Sequence, residues 1–148
     1  MATFFLILAT LAIIHFIIEG IVPSTRMNLR FKLFEIRDRL RKVRHEYGVV
    51  LDTEVYHYLE NSINNSIQHL HLINLNVVID ATRSIASNPQ LRAEVQKRID
   101  MLTRCQLKEI KDIQKEYTIA FAKTIATNCA GWFIYIIPIL FVISFLGM

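Results

Sequence analysis

Apolar positions follow two patterns in this chain, unbroken at the two ends and periodic in between. From Ala2 to Val22 the residues are almost all apolar, and Glu19 is the single formal charge. From Thr124 to Met148 there is no charge at all. A helix needs about 20 such residues to cross a hydrocarbon core of roughly 30 Å, so each end is long enough to span. Neither reads as a signal peptide. The first has no basic residue ahead of it, and no small-x-small cleavage site precedes Pro23. The pattern predicts one transmembrane helix over 1–23, a helical domain over 24–118, and a juxtamembrane extension with a second transmembrane helix over 119–148.

The middle holds few breakers, namely Pro23, Gly48 and Pro89. They predict helices at about 25–47, 53–86 and 89–118. In the first, Leu29, Leu33, Ile36, Leu40, Val43 and Tyr47 recur with 4-3 spacing, the seam of a bundle or coiled coil. Met27, Phe31 and Phe34 widen that face, and Ser24 is placed to cap it. In the second, Leu59, Ile63, Ser66, Leu70, Ile73 and Val77 repeat the spacing, with Asp52 as the expected cap. Nineteen residues between Glu60 and Asp80 carry no Asp, Glu, Lys or Arg. His57, Asn61, Asn64, Gln68 and His71 make a neutral polar stripe there, which suits an interface that satisfies amides but not charges. The same asparagines and histidines argue against a third span. Leu33 and Leu40 on the seam, with Asn61, Asn64, Gln68 and His71, are therefore the expected contacts of a homo-oligomer. The third helix begins at Asn88-Pro89, a capping residue followed by proline at the first turn. No Gly or Pro occurs from there to Gly131, so the helix is expected to run into the second span as an unbroken stalk. Lys123, Trp132 and Tyr135 would mark the interface, and Pro138 a kink.

Charge orients this arrangement. All 17 Lys and Arg lie between Arg26 and Lys123. Basic residues next to a span hold that side in the cytoplasm, so the middle is expected to be cytoplasmic and both termini outside. In a bacterial cell that is a two-pass inner-membrane protein with periplasmic termini. Between Ser24 and Glu46 eight basic residues face three acidic ones, a net of +5. Arg30, Arg37, Arg41, Arg44 and Lys42 form a stripe beside the seam. Anionic lipid is one partner for it. A polyanion such as single-stranded nucleic acid or a nucleotide signal is the other, because guanidinium forks match phosphate oxygens.

Enzyme chemistry is not visible. No nucleophile stands beside a base, no glycine-rich phosphate loop occurs, and no cofactor is implied. His69 and His71 are two apart and point to different helix faces, and Cys105 and Cys129 lack metal or redox spacing, so no metal site is expected. The unusual chemistry lies inside the first apolar run, where His15 and Glu19 stand one turn apart. They read either as a snorkelling pair near the inner interface or as groups lining a polar path between helices.

In layout the chain resembles the small two-span membrane effectors of bacterial antiphage defence, most of all the membrane effector of the Hailong system. The resemblance rests on the terminal spans, the helical body and the basic patch after the first span. It implies an all-α, homo-oligomeric, channel-like protein. Single-stranded DNA oligomers from a partner nucleotidyltransferase would hold it inactive. Arg30, Arg37, Arg41 and Arg44 would meet the DNA, and His15 and Glu19 the pore. A membrane-anchored scaffold without conduction and a holin-like lysis protein are the competing readings.

Overall fold

The apolar seams of the middle region close on one another within a single chain. The computed structural model describes residues 2–48, 51 and 53–146, with the backbone alone for 2–4, 6, 7, 17, 18 and 130–146. Every regular element among them is helical: α1 (Ala2–Phe16), a π-turn (Ile17–Ile21), α2 (Val22–Tyr47), α3 (Thr53–Gln68), α4 (Leu75–Ser87), α5 (Pro89–Arg104) and α6 (Lys108–Leu146).

The expected boundary at Pro23, with Ser24 as a cap, is not there. The chain continues from α1 through the π-turn into α2, and Pro23 sits in the first turn of α2 without a side-chain cap. Proline lacks an N–H and crowds the carbonyl four residues before it, here that of Glu19. A π-turn directly ahead of the proline widens the ladder where it would otherwise clash. Thr25 Oγ1 donates to the Ile21 carbonyl at 2.8 Å and uses an acceptor in the same stretch. Among the described residues, the helix through Leu8–Tyr47 is the one long and apolar enough to cross a membrane, and its apolar window is not buried against the rest of the chain.

α2, α3 and the first half of α6 form the core. Leu33, Ile36 and Leu40 of α2, Val55 and Ile63 of α3, and Ile110 of α6 are closed off from solvent. Burying each such side chain stabilises by roughly 1.5–3 kcal/mol before chain entropy is counted. α2 and α6 run antiparallel. Tyr47 Oη donates to Glu109, Arg39 pairs with Glu116, and Arg26 Nε donates to Asn128 Oδ1. α1 continues the pairing along α6. Gly48 ends α2 with φ +47°, and its N–H donates to the Arg44 carbonyl. That backbone region is open to glycine and strained for other residues. The expected cap Asp52 lies outside the described residues.

Two of the expected helices are split. The one predicted over 53–86 ends at Gln68 and resumes at Leu75. No Gly or Pro marks the break. Asn74 makes it, turning its side chain back to accept from Val77 N at 3.1 Å, a local bond that competes with helix. The helix predicted over 89–118 turns at residues 105–107, so the stalk α6 begins only at Lys108. Turning there lets Met101, Leu102, Cys105 and Leu107 all pack against the core. The cap at Asn88 is as expected: its Oδ1 accepts from Gln90 N and Leu91 N. α4 and α5 pack on each other as a hairpin, and neither contributes a buried residue. The Arg98 guanidinium lies over the Tyr58 ring and ties α5 to α3. The interfacial roles expected of Trp132, Tyr135 and Pro138 concern side chains outside those described, as does most of the second predicted span.

Candidate functional site at the apolar end of the bundle

His15 lies in the last turn of α1 and Glu19 in the π-turn that follows. Their side chains pair across one turn, Nδ1 to Oε1 at 3.8 Å, and stay 71% and 69% exposed on the outside of the chain. Ile13 and Phe16 beside them are exposed as well. An ionisable pair thus sits in an apolar helical run with little cover from its own chain.

Just beyond Pro23 a polar clasp joins three elements. Asn128 of α6 donates through Nδ2 to the carbonyls of Leu70 at 2.8 Å and Ile73 at 2.6 Å, and its Oδ1 accepts from Arg26 Nε at 2.8 Å. Breaking the helix after Gln68 frees carbonyls that need donors. Asn128 supplies two, while Arg26 fixes its orientation. Neither residue was singled out from the sequence. An amide standing at the head of an uncharged run was the readable signal.

Most of the basic stripe is engaged within the chain. Arg41 Nε donates to Glu60 at 2.9 Å. Burial pushes the Glu60 carboxyl up, but hydrogen bonds from Arg41 and Tyr56 outweigh it and hold it below its ordinary value. Arg44 donates to the carbonyls of Gly48 and Leu51 and lies over the Tyr56 ring. Arg37 lies over Phe34 with Nε 3.5 Å from Asp38, and Lys42 reaches Glu46 at 3.7 Å. Arg39 holds Glu116, and that hydrogen bond keeps the Glu116 carboxyl low. Arg30 differs. It is exposed, and its one hydrogen bond among the described residues is a long one of 3.4 Å to the Ile67 carbonyl. A polyanion reaching Arg37, Arg41 or Arg44 competes with partners already in place; at Arg30 it does not compete with an acid.

The seam residues expected at an oligomer interface are corrected. Leu33 and Leu40 are buried in the chain's own core against α3 and α6, because the two other apolar faces of the same chain cover them first. The neutral stripe faces outward: Asn61, Gln68 and His71 are exposed and Asn64 half-buried. Ser66, read as part of the second seam, is buried and shares a 2.8 Å hydrogen bond with Tyr117 Oη, which donates to the Ser62 carbonyl. Burial raises the Tyr117 phenol above its ordinary value. Cys105 and Cys129 are free thiols. Among the described residues no group of three or more His, Cys, Asp or Glu is placed to hold a metal. Compared with family models, curated proteins and solved structures, the chain matches none.

Proposed function

We propose that this protein is a homo-oligomeric, channel-like membrane effector. Its cytosolic three-helix bundle senses an anionic ligand and moves two helices that continue into the bilayer. One observation carries the reading: the His15–Glu19 pair is exposed on the protomer surface within an apolar run. With a rise of about 1.5 Å per residue, Glu19 lies roughly 5 Å and His15 roughly 10 Å inside the end of that run at Val22. Glu19 can reach water from there. His15 is too deep for its short side chain, and hydrocarbon is a costly environment for it. Cover from a second copy, or a water-filled path between copies, removes the cost. Glu19 then forms a carboxylate ring at the cytosolic mouth, which favours cations. The continuity of α1 with α2, and of α6 from the core to Leu146, couples any shift of the bundle to the membrane segments.

Ion flux from liposomes holding the purified chain tests this, with short single-stranded DNA titrated in. Flux that falls in Glu19→Gln and His15→Ala, and that DNA modulates, is the expected result. Flux indifferent to DNA removes that ligand. No flux from inserted, folded protein overturns the channel. The scaffold reading then stands, favoured by the α4–α5 hairpin, whose Leu75, Val77, Ile79 and Ile99 are exposed. Indiscriminate killing on mild expression would instead indicate a holin-like protein.

A further inference from the structure

A groove of about 260 Å³ lies between the start of α2 and the end of α3. Four groups able to donate hydrogen bonds line it: Arg26 and Arg30 from α2, and Gln68 and His71 from α3 and the turn after it. Pro23, Met27, Ile67 and Leu70 are its apolar lining, and no carboxylate takes part in it. Arg26, Arg30 and Arg44 are the arginines of α2 that, among the described residues, have no acid partner, and Arg26 and Arg30 are the two of them that line this groove. Lys32, Arg37, Arg39, Arg41 and Lys42 each stand against a carboxylate, and Arg44 is engaged by two backbone carbonyls. Arg26 spends Nε on Asn128, which leaves its terminal nitrogens, the pair that forks onto phosphate oxygens.

The position of the groove selects among phosphates. Arg26 and Arg30 are the first two cations after the apolar run. At about 1.5 Å per residue they stand roughly 6 and 12 Å beyond Val22. The headgroup layer on each side of a bilayer is about 5–7 Å deep, and arginine side chains reach back along an apolar surface to place their charge there. Exposed Met27 would lie against the glycerol region. We infer that this groove binds the phosphodiester of an anionic phospholipid. Arg26 and Arg30 meet the phosphate, and Gln68 and His71 flank it. The inference rests on the membrane reading above but not on conduction.

The test uses the full chain in detergent, titrated with phosphatidylglycerol or phosphatidylcholine, with retained lipid counted by native mass spectrometry. Wild type retains phosphatidylglycerol in preference. Arg30→Gln weakens retention about fivefold, as loss of roughly 1 kcal/mol for one cation implies, and adding His71→Ala, which removes a flanking hydrogen-bond donor, weakens it further. Arg83→Gln, on exposed α4, leaves it unchanged. The double variant is preferred to Arg26→Gln because Arg26 also holds Asn128. Equal retention by wild type and double variant overturns the inference, as does equal retention of the two lipids. Displacement of phosphatidylglycerol by inorganic phosphate or a short oligo-dT at equal concentration overturns the lipid and assigns the groove to a soluble phosphate. Alkaline extraction of expressing membranes separates the two claims. A chain released by alkali sinks the membrane reading and the groove with it. A chain that resists alkali but shows no lipid preference sinks the groove alone.

Discussion

Replacing Asn128 by alanine removes three hydrogen bonds at once: two donated to the Leu70 and Ile73 carbonyls and one accepted from Arg26. A neutral hydrogen bond contributes about 0.5–1.5 kcal/mol net and one to a charged group about 1.5–3. Full additivity would give roughly 2.5–6 kcal/mol. The clasp is only partly buried, so water replaces some of the lost partners, and a cost of about 2–4 kcal/mol is expected. For a chain of this size that lowers Tm by roughly 4–16 °C at about 2–4 °C per kcal/mol. Thermal unfolding in detergent, followed by far-UV circular dichroism, reads this directly. Hydrogen exchange adds the location: amides around residues 69–74 should exchange faster, while those of α2 around Ile36 stay protected. Asn128→Asp keeps the acceptor for Arg26 but loses both donors, so it should loosen the turn as much as alanine does. A Tm within about 1 °C of wild type, with unchanged exchange in the turn, would refute the view that Asn128 holds the break between α3 and α4.

Leu33→Ala opens a cavity in a closed core, so it should cost about 2–5 kcal/mol in chemical denaturation. Because Leu33 is covered by its own chain, the variant's assembly mass by light scattering should match wild type; dissociation into smaller species would restore the oligomer seam. Acid sensitivity follows from Glu116, whose carboxyl Arg39 holds below its ordinary value of 4.5. A carboxyl depressed in the folded state adds stability that is present above the unfolded value and is lost as pH falls through the folded one. Stability should therefore decline below pH 4.5, and Arg39→Gln should flatten that decline; parallel acid limbs for wild type and variant would contradict the pairing.

The helical nature of the chain was legible in its residues. So were the core face of α2, read from Leu29 to Tyr47, and the start of α5 at Asn88 and Pro89. Each is set by local means: a side chain folding back on the next N–H, or an apolar stripe recurring every three to four residues. The polar pair His15 and Glu19 was legible for the same reason, since a charge inside an apolar run shows without any knowledge of its neighbours. Tertiary structure decided the rest. A 4-3 stripe reports that a face will be covered, not by what, and α3 and α6 of the same chain reached Leu33 and Leu40 first. Arginine spacing reports available charge, not its engagement, which depended on Glu60 and Glu116 lying far along the chain. The break after Gln68 required donors for the Leu70 and Ile73 carbonyls, and these came from Asn128, 58 and 55 residues away. Asn74 offers a local cap, but local sequence carries no trace of a partner as distant as Asn128, because the donors that satisfy the freed carbonyls arrive only once α6 has packed beside them.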